Sequence, residues 1–236
     1  MINYIGSKYP LSDFILPHCP KNPKYYIEPF GGMYGLFFNM NLKDYPDTEF
    51  IYNDINPLNS NLFEHLKKEK FISKIISTDI NESVFLESYD KLESKYKEEK
   101  ALAWLIILCC GESKDLMSKL YHGNSSFQLL KYKLPHYSEY FSRIKVYNLD
   151  YKKIFKKYDS EETFFYIDCP YVGYEHYYLN HNFVGESHLE LSNEIKKLKG
   201  NWILSYYKFE EMDELYSGYK TISKKHNLGE EYLIFK

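Results

Sequence analysis

Short runs of aromatic and β-branched residues alternate with helical stretches at both ends of this chain. Several of those runs stop beside an acidic side chain. Residues 24–28, 49–53, 143–148 and 163–167 read as strands, ending at or next to Glu28, Asp54, Asp150 and Asp168. A fifth strand is expected over 201–206, after a helix in which Leu191, Ile195 and Leu198 share one face. Further helices are expected from about Met33, after Pro57 and over 151–157, and residues 219–223 and 231–235 read as a closing hairpin. This alternation predicts an α/β fold with a doubly wound, mainly parallel sheet. Such sheets bind ligands at the carboxyl ends of their strands, where the four acids lie.

The middle of the chain breaks the rhythm. From about residue 62 to 141 the pattern is mostly helical, with a Lys/Glu-rich amphipathic stretch over 83–100 and an apolar one over 101–110. The expected organisation is a sheet domain from 1–61 and 142–236 with a helical insertion at 62–141. A polar segment around Asn124-Ser125-Ser126-Phe127-Gln128 reads as its exposed loop. The apolar run at 101–110 is about half the length a bilayer requires, so no membrane partner is expected. Met1-Ile2-Asn3-Tyr4 lacks the pattern of a secretory signal. Cys19, Cys109, Cys110 and Cys169 show no paired spacing for a disulfide frame or a zinc site, which points to reduced thiols and a cytoplasmic setting. The net charge of −3 argues against a large sequence-independent affinity for nucleic acid but allows a local basic face. Among the 30 basic residues only Arg143 is arginine, so bidentate Arg–guanine contacts are nearly unavailable.

Four segments at strand ends carry chemistry. Asp168-Cys169-Pro170-Tyr171 directly follows the apolar run at 163–167; Pro170 fixes its own φ and biases Cys169 toward an extended conformation. The turn holds a carboxylate, a backbone carbonyl and an aromatic face together, a set suited to a planar ring bearing an exocyclic amine. Glu28-Pro29-Phe30-Gly31-Gly32-Met33-Tyr34-Gly35 has glycines that permit close approach of a ligand. Its spacing is neither the dinucleotide pattern nor a phosphate loop, so a pyrophosphate is not expected. Asp54, ending the second strand, is placed like the ribose-binding acid of nucleoside-cofactor folds, with a helix cap as the alternative. Asp150 and Tyr151 suit an adenine amine and ring; a helix N-cap explains Asp150 equally well.

Together these segments resemble the Dam-like N6-adenine DNA methyltransferases. Asn3-Tyr4-Ile5-Gly6-Ser7-Lys8 is similar to that family's opening aromatic-x-Gly-Gly-Lys element, with Ser7 at its second glycine. Residues 28–35 resemble its Glu-Pro-Phe-x-Gly-x-Gly loop, and Asp168 to Tyr171 its catalytic Asp-Pro-Pro-Tyr, with Cys169 replacing the first proline. The likeness continues through His188, Ser205, Tyr206 and Glu231 to Ile234 and spans most of the chain outside the insertion.

The resemblance implies a Rossmann-like methyltransferase domain that uses S-adenosylmethionine to methylate N6 of an adenine flipped out of double-stranded DNA. Asp168, Cys169, Pro170 and Tyr171 are then the catalytic turn. Tyr4, Lys8, Glu28, Phe30, Gly31, Gly32, Asp54, Asp150 and Tyr151 are then the cofactor site. The chemistry needs no metal and no obligate protein partner. The resemblance also casts the helical insertion as the target-recognition part, with 124–128 and Lys131 as candidates for base reading. Lysine clusters at 67–70, 131–133, 152–153 and 156–157 are candidates for phosphate contact. Tyr174, Tyr177, Tyr178 and Phe183 are candidates for a lid, with packing onto the sheet as the alternative. His188 reads as structural or as a backbone or phosphate contact. An RNA or protein amino-methyltransferase, or a silent relative disabled at Cys169, are the competing readings.

Overall fold

Every residue of Thr163–Ile167 (β4) is buried, as expected of a strand covered on both faces. The structure, a computed structural model, describes residues 8–112, 119–174, 183, 185–227 and 229–236. Around β4 lie β1 (Tyr25–Glu28), β2 (Glu49–Asn53), β3 (Ile144–Tyr147), β5 (Asn201–Tyr207), β6 (Lys220–His226) and β7 (Gly229–Phe235). They form one seven-stranded sheet in the order β3-β2-β1-β4-β5-β7-β6. The pairs β1–β2, β1–β4 and β4–β5 are parallel, whereas β7 runs antiparallel to both β5 and β6. The protein is thus α/β with a mainly parallel sheet, as the alternation of strand and helix predicts. The strand expected over 219–223 extends to His226 and its partner begins at Gly229. Lysines at 220, 224 and 225 stud the edge strand β6, where charge discourages pairing with another chain.

The chain divides into two compact units. One comprises residues 1–10, 32–40 and 56–146; the other comprises 11–31, 41–55 and 147–236. The second holds β1, β2 and β4–β7 with α1 (Ser12–Ile15), α8 (Tyr151–Tyr158), α9 (Glu186–Ile195) and α10 (Met212–Leu215). Its core joins Ile27, Phe165, Ile167, Leu204 and Ile234 of the sheet to Ile154 and Phe155 of α8 and Leu191 and Ile195 of α9. The lysines of α8 lie away from that core, so its four-residue period sets both its buried face and its charged one.

The first unit holds α2 (Pro57–Leu66), α3 (Glu69–Ser77), α4 (Glu82–Lys91), α5 (Lys97–Cys110), α6 (Ser125–Lys133) and α7 (Ser138–Arg143). From Ala103 to Cys110 every residue of α5 is buried, so the apolar run is the core helix of this unit. Its Trp104 indole donates to Asn59 Oδ1 on α2 at 2.8 Å. The amphipathic stretch over 83–100 is split between α4 and α5; Ser94 Oγ accepts from the Tyr96 N–H at 3.1 Å, a local turn that competes with helix.

Two expectations are corrected. No α-helix starts at Met33: the segment contains only the 3₁₀ turns Phe37–Asn39 and Leu42–Asp44. Gly32 and Tyr34 take φ of 48° and 54°, left-handed values that interrupt a right-handed helix. The polar segment 124–128 is not a loop either. Ser125 opens α6, Phe127 is fully buried, and Asn124 donates to the Ile80 carbonyl at 2.9 Å.

Candidate active site

Two asparagines tie together the chain segments that leave β1, β2 and β3. Asn53, fully buried at the end of β2, donates through Nδ2 to the carbonyls of Pro29 (2.8 Å) and Leu149 (2.9 Å). Its Oδ1 accepts from the Leu149 N–H at 3.0 Å. Asn148 donates to the carbonyls of Asp54 at 2.7 Å and Ile55 at 2.9 Å. A buried amide that satisfies three backbone groups fixes the loops it joins, because any displacement leaves those groups unpaired. In this way Phe30, Gly31, Asp54, Asp150 and Tyr151 are anchored to one edge of the sheet.

At that edge Gly31 has no room for a side chain. A Cβ there would lie 2.5 Å from the Tyr52 ring and 2.9 Å from the Asn53 carbonyl, to which Gly31 itself donates at 2.7 Å. Phe30 packs on Tyr151 with ring centroids 5.2 Å apart, and Phe183 meets Phe30 edge-on at 5.6 Å. Glu28 is buried and accepts from the Tyr26 hydroxyl two residues before it on the same strand face, at 2.8 Å. Asp54 is nearly buried, and the cap of α2 is taken by Asn56, whose Oδ1 accepts from Leu58. Asp150 does cap a helix: its Oδ1 accepts from the Lys152 N–H at 2.9 Å, which leaves its second oxygen outside that bond. The Tyr151 hydroxyl is buried without a hydrogen-bond partner among the described residues, and burial, with the nearby Glu190 and Asp150 charges, pushes its ionisation up.

The Asp168–Tyr171 turn leaves β4 at the same edge. The Tyr171 hydroxyl lies 3.1 Å from Asp168 Oδ1 and 3.4 Å from Ser205 Oγ, and it is hydrogen-bonded to Glu231 Oε1, which Ser205 also contacts. Burial and the charges of Asp168 and Glu231 hold this hydroxyl well above the usual tyrosine range, so it is a proton donor rather than a base. The Tyr171 ring stacks on Tyr206 at 5.1 Å and 25°. Tyr206 in turn directs its hydroxyl to the Pro170 carbonyl, 3.4 Å away, and is bonded to His188 Nδ1. Cys169 is buried in the apolar core with Tyr151 and Tyr216. Its side chain therefore occupies a packing position.

Aromatic rings join the two loops. Centroid distances run from Phe30 to Phe183 (5.6 Å), Phe183 to His188 (4.9 Å), His188 to Tyr206 (5.8 Å) and Tyr206 to Tyr171 (5.1 Å). Phe183 and His188 are both buried and packed within this aromatic series. Tyr174 is half exposed and edges against Tyr207, while Tyr177 and Tyr178 lie outside the described residues. Tyr4 also lies outside them. Lys8, buried, and Gly32 belong to the other unit. Lys131 donates to the Thr78 carbonyl at 3.0 Å and pairs with Asp79. Lys152 pairs with Glu190 at 2.8 Å. The sequence reading did not assign roles to Asn53, Asn148, Ser205, Glu231 or His226. The family likeness runs through Ser205 and Glu231, and Asn53 stands immediately before Asp54, but none of these was given a role.

A family model, that of the D12 class N6 adenine-specific DNA methyltransferases, matches residues 4–228. The chain belongs to this family. The family's reaction is methylation of adenine N6 in DNA, and the strand-end turn with its carboxylate and aromatic ring lies within the matched span. No curated protein matches the chain. Among the described residues no helix is long and apolar enough to cross a membrane.

Proposed function

We propose that this protein transfers a methyl group from S-adenosylmethionine to N6 of an adenine flipped out of double-stranded DNA, within a particular recognition sequence. The carrying observation is the buried turn at the end of β4. It presents Asp168, the Cys169 backbone and the Tyr171 ring at the sheet edge where Gly31 and the unpartnered Tyr151 hydroxyl also lie. Gly31 lets the loop pack against Tyr52 and Asn53, and the orphaned buried hydroxyl of Tyr151 is a polar group that a bound nucleoside cofactor could satisfy.

Asp54 would take the ribose hydroxyls, Asp150 and Tyr151 the adenine, and Phe30 and Gly31 the wall of the pocket. Glu28 supports that wall from β1, and Tyr4, Lys8 and Gly32 would serve the methionine end. When bound, S-adenosylmethionine would supply an electrophilic methyl group for in-line attack by the N6 lone pair, with the sulfonium C–S bond breaking and the neutral thioether leaving.

The target amine is a poor nucleophile because its lone pair is delocalised into the ring. Asp168 and the Cys169 carbonyl accept its two hydrogens, which localises the lone pair on nitrogen. Tyr171 holds the ring by stacking, and Pro170 stiffens the turn so that the acceptors stay fixed. Extruding a paired base costs a few kcal/mol, roughly, and residues 62–141 would help to meet that cost as the target-recognition part. Asp168 takes the proton released from the methylated amine. A cytoplasmic location and action without an obligate partner complete the reading.

The test is tritiated methyl transfer from S-adenosylmethionine to unmethylated, AT-rich duplex DNA, with RNA alongside and base analysis of the product. Label recovered as N6-methyladenine in DNA is the expected result. Label in RNA or protein alone, or cofactor binding without transfer, would replace this reading with one of its rivals.

A further inference from the structure

Glu231 of β7 is 1% exposed and lies beside the catalytic turn, although it is 60 residues from Tyr171 in sequence. Resting on the reading above, we infer that Glu231 is a positioning residue: it takes the single hydroxyl proton of Tyr171 and thereby keeps Asp168 available as an acceptor for the target amine.

The argument starts from proton counting. A tyrosine hydroxyl has one hydrogen, and three oxygens surround this one: Asp168 Oδ1, Ser205 Oγ and Glu231 Oε1. The first two lie at 3.1 and 3.4 Å, beyond the usual span of an O–H···O bond, so the proton belongs to Glu231. Ser205 donates to the same Glu231 oxygen. Two hydroxyl donors thus satisfy one buried oxygen, while Oε2 lies 3.8 Å from His226 Nε2. Asp168 and Tyr171 of the turn, Tyr166 of β4, Ser205 of β5 and His226 of β6 are among the polar and titratable groups around this carboxylate.

Had Tyr171 donated to Asp168, that carboxylate would be a weaker acceptor for an amine. A charged acceptor outcompetes a neutral one for the same hydroxyl. Replacing Glu231 by a neutral amide therefore turns the Tyr171 proton toward Asp168.

The experiment compares single-turnover methyl transfer in wild type, Glu231→Gln, Tyr171→Phe and the double variant. The carboxylate of Asp168 is titrated in the same proteins by NMR with ¹³C-labelled aspartate. In the wild-type background Glu231→Gln should slow transfer by about 10-fold, with KM for DNA and cofactor little changed. In the Tyr171→Phe background it should slow transfer by no more than about 2-fold, because the competing hydroxyl is gone. Glu231→Gln should also lower the Asp168 titration midpoint, in part simply because a neighbouring negative charge is lost, and the shift should be larger with the Tyr171 hydroxyl present than in the Tyr171→Phe background. Equal loss in both backgrounds, or none in either, would overturn the inference in favour of a purely structural role. If wild type transfers no methyl group to DNA, the reading of function fails. The titration still decides this inference: a midpoint shift of the same size with and without the Tyr171 hydroxyl, which is charge removal alone, overturns it.

Discussion

In the turn after β4, polar side chains bond to one another. Asp168, half-buried, joins the buried Tyr171, Ser205 and Glu231 in a cluster fed by β4, β5 and β7. At the start of α6, polar side chains bond to backbone instead: Asn124 to the Ile80 carbonyl and Lys131 to the Thr78 carbonyl. The difference separates two uses of the same chemical types. A side chain tied to a distant carbonyl fixes the path of the chain, and its polarity is consumed in doing so. A side chain held by other side chains has its orientation and charge fixed, which is what an acceptor for a reacting amine requires. Polar composition alone does not distinguish the two.

The largest stability effect should come from removing the backbone staple at the sheet edge. Asn53→Ala strands two carbonyls and an N–H, and should cost about 3 kcal/mol or more, read as a lower urea midpoint with an unchanged slope. Gly31→Ala should follow. Its Cβ meets the Tyr52 ring and the Asn53 carbonyl, an overpacking worth about 1–3 kcal/mol, and cofactor affinity measured by calorimetry should fall with it. Asn124→Ala should cost only about 1 kcal/mol and leave methyl transfer unchanged, since that amide serves the first unit's own backbone. A clear loss of sequence-specific methylation in this variant would restore 124–128 as a base-reading segment and blur the comparison. The smallest effect is expected from thiol reagents on the native protein at pH 8. All four cysteines are buried, and burial pushes the Cys110 thiol up to about 12, so rapid labelling should appear only on unfolding. A fast-reacting Cys169 would show that the turn is open rather than packed.

The strands at 49–53 and 163–167 were legible residue for residue, because their buried centres are runs of aromatic and β-branched residues that stop abruptly at Asn-Asp or Asp-Cys-Pro. The Asp168–Tyr171 turn at the end of the second of these runs was legible as a turn for the same reason. The expected helix after Gly32 failed because left-handed φ values at Gly32 and Tyr34 are a tertiary outcome that a Gly-Gly-Met-Tyr string does not announce. The misread start of α6 had a different cause. Asn124 and Lys131 find partners 44 and 53 residues away, and nothing local reveals that their polarity is already used. Glu231 and Ser205 were visible as residues but not as a pair. Only the placement of β7 antiparallel to β5 brings them to Tyr171. Asp150 illustrates an ambiguity that proved real, since it does cap α8 while standing at the expected place for a cofactor contact.

The most direct test of the account is Asp168→Ala, assayed for methyl transfer to duplex DNA and, separately, for S-adenosylmethionine binding by calorimetry. Loss of the acceptor that localises the N6 lone pair should reduce the transfer rate by about 10²-fold or more, with cofactor affinity and thermal stability largely retained. Near-normal turnover by this variant would contradict the assignment of the turn after β4 as the catalytic centre.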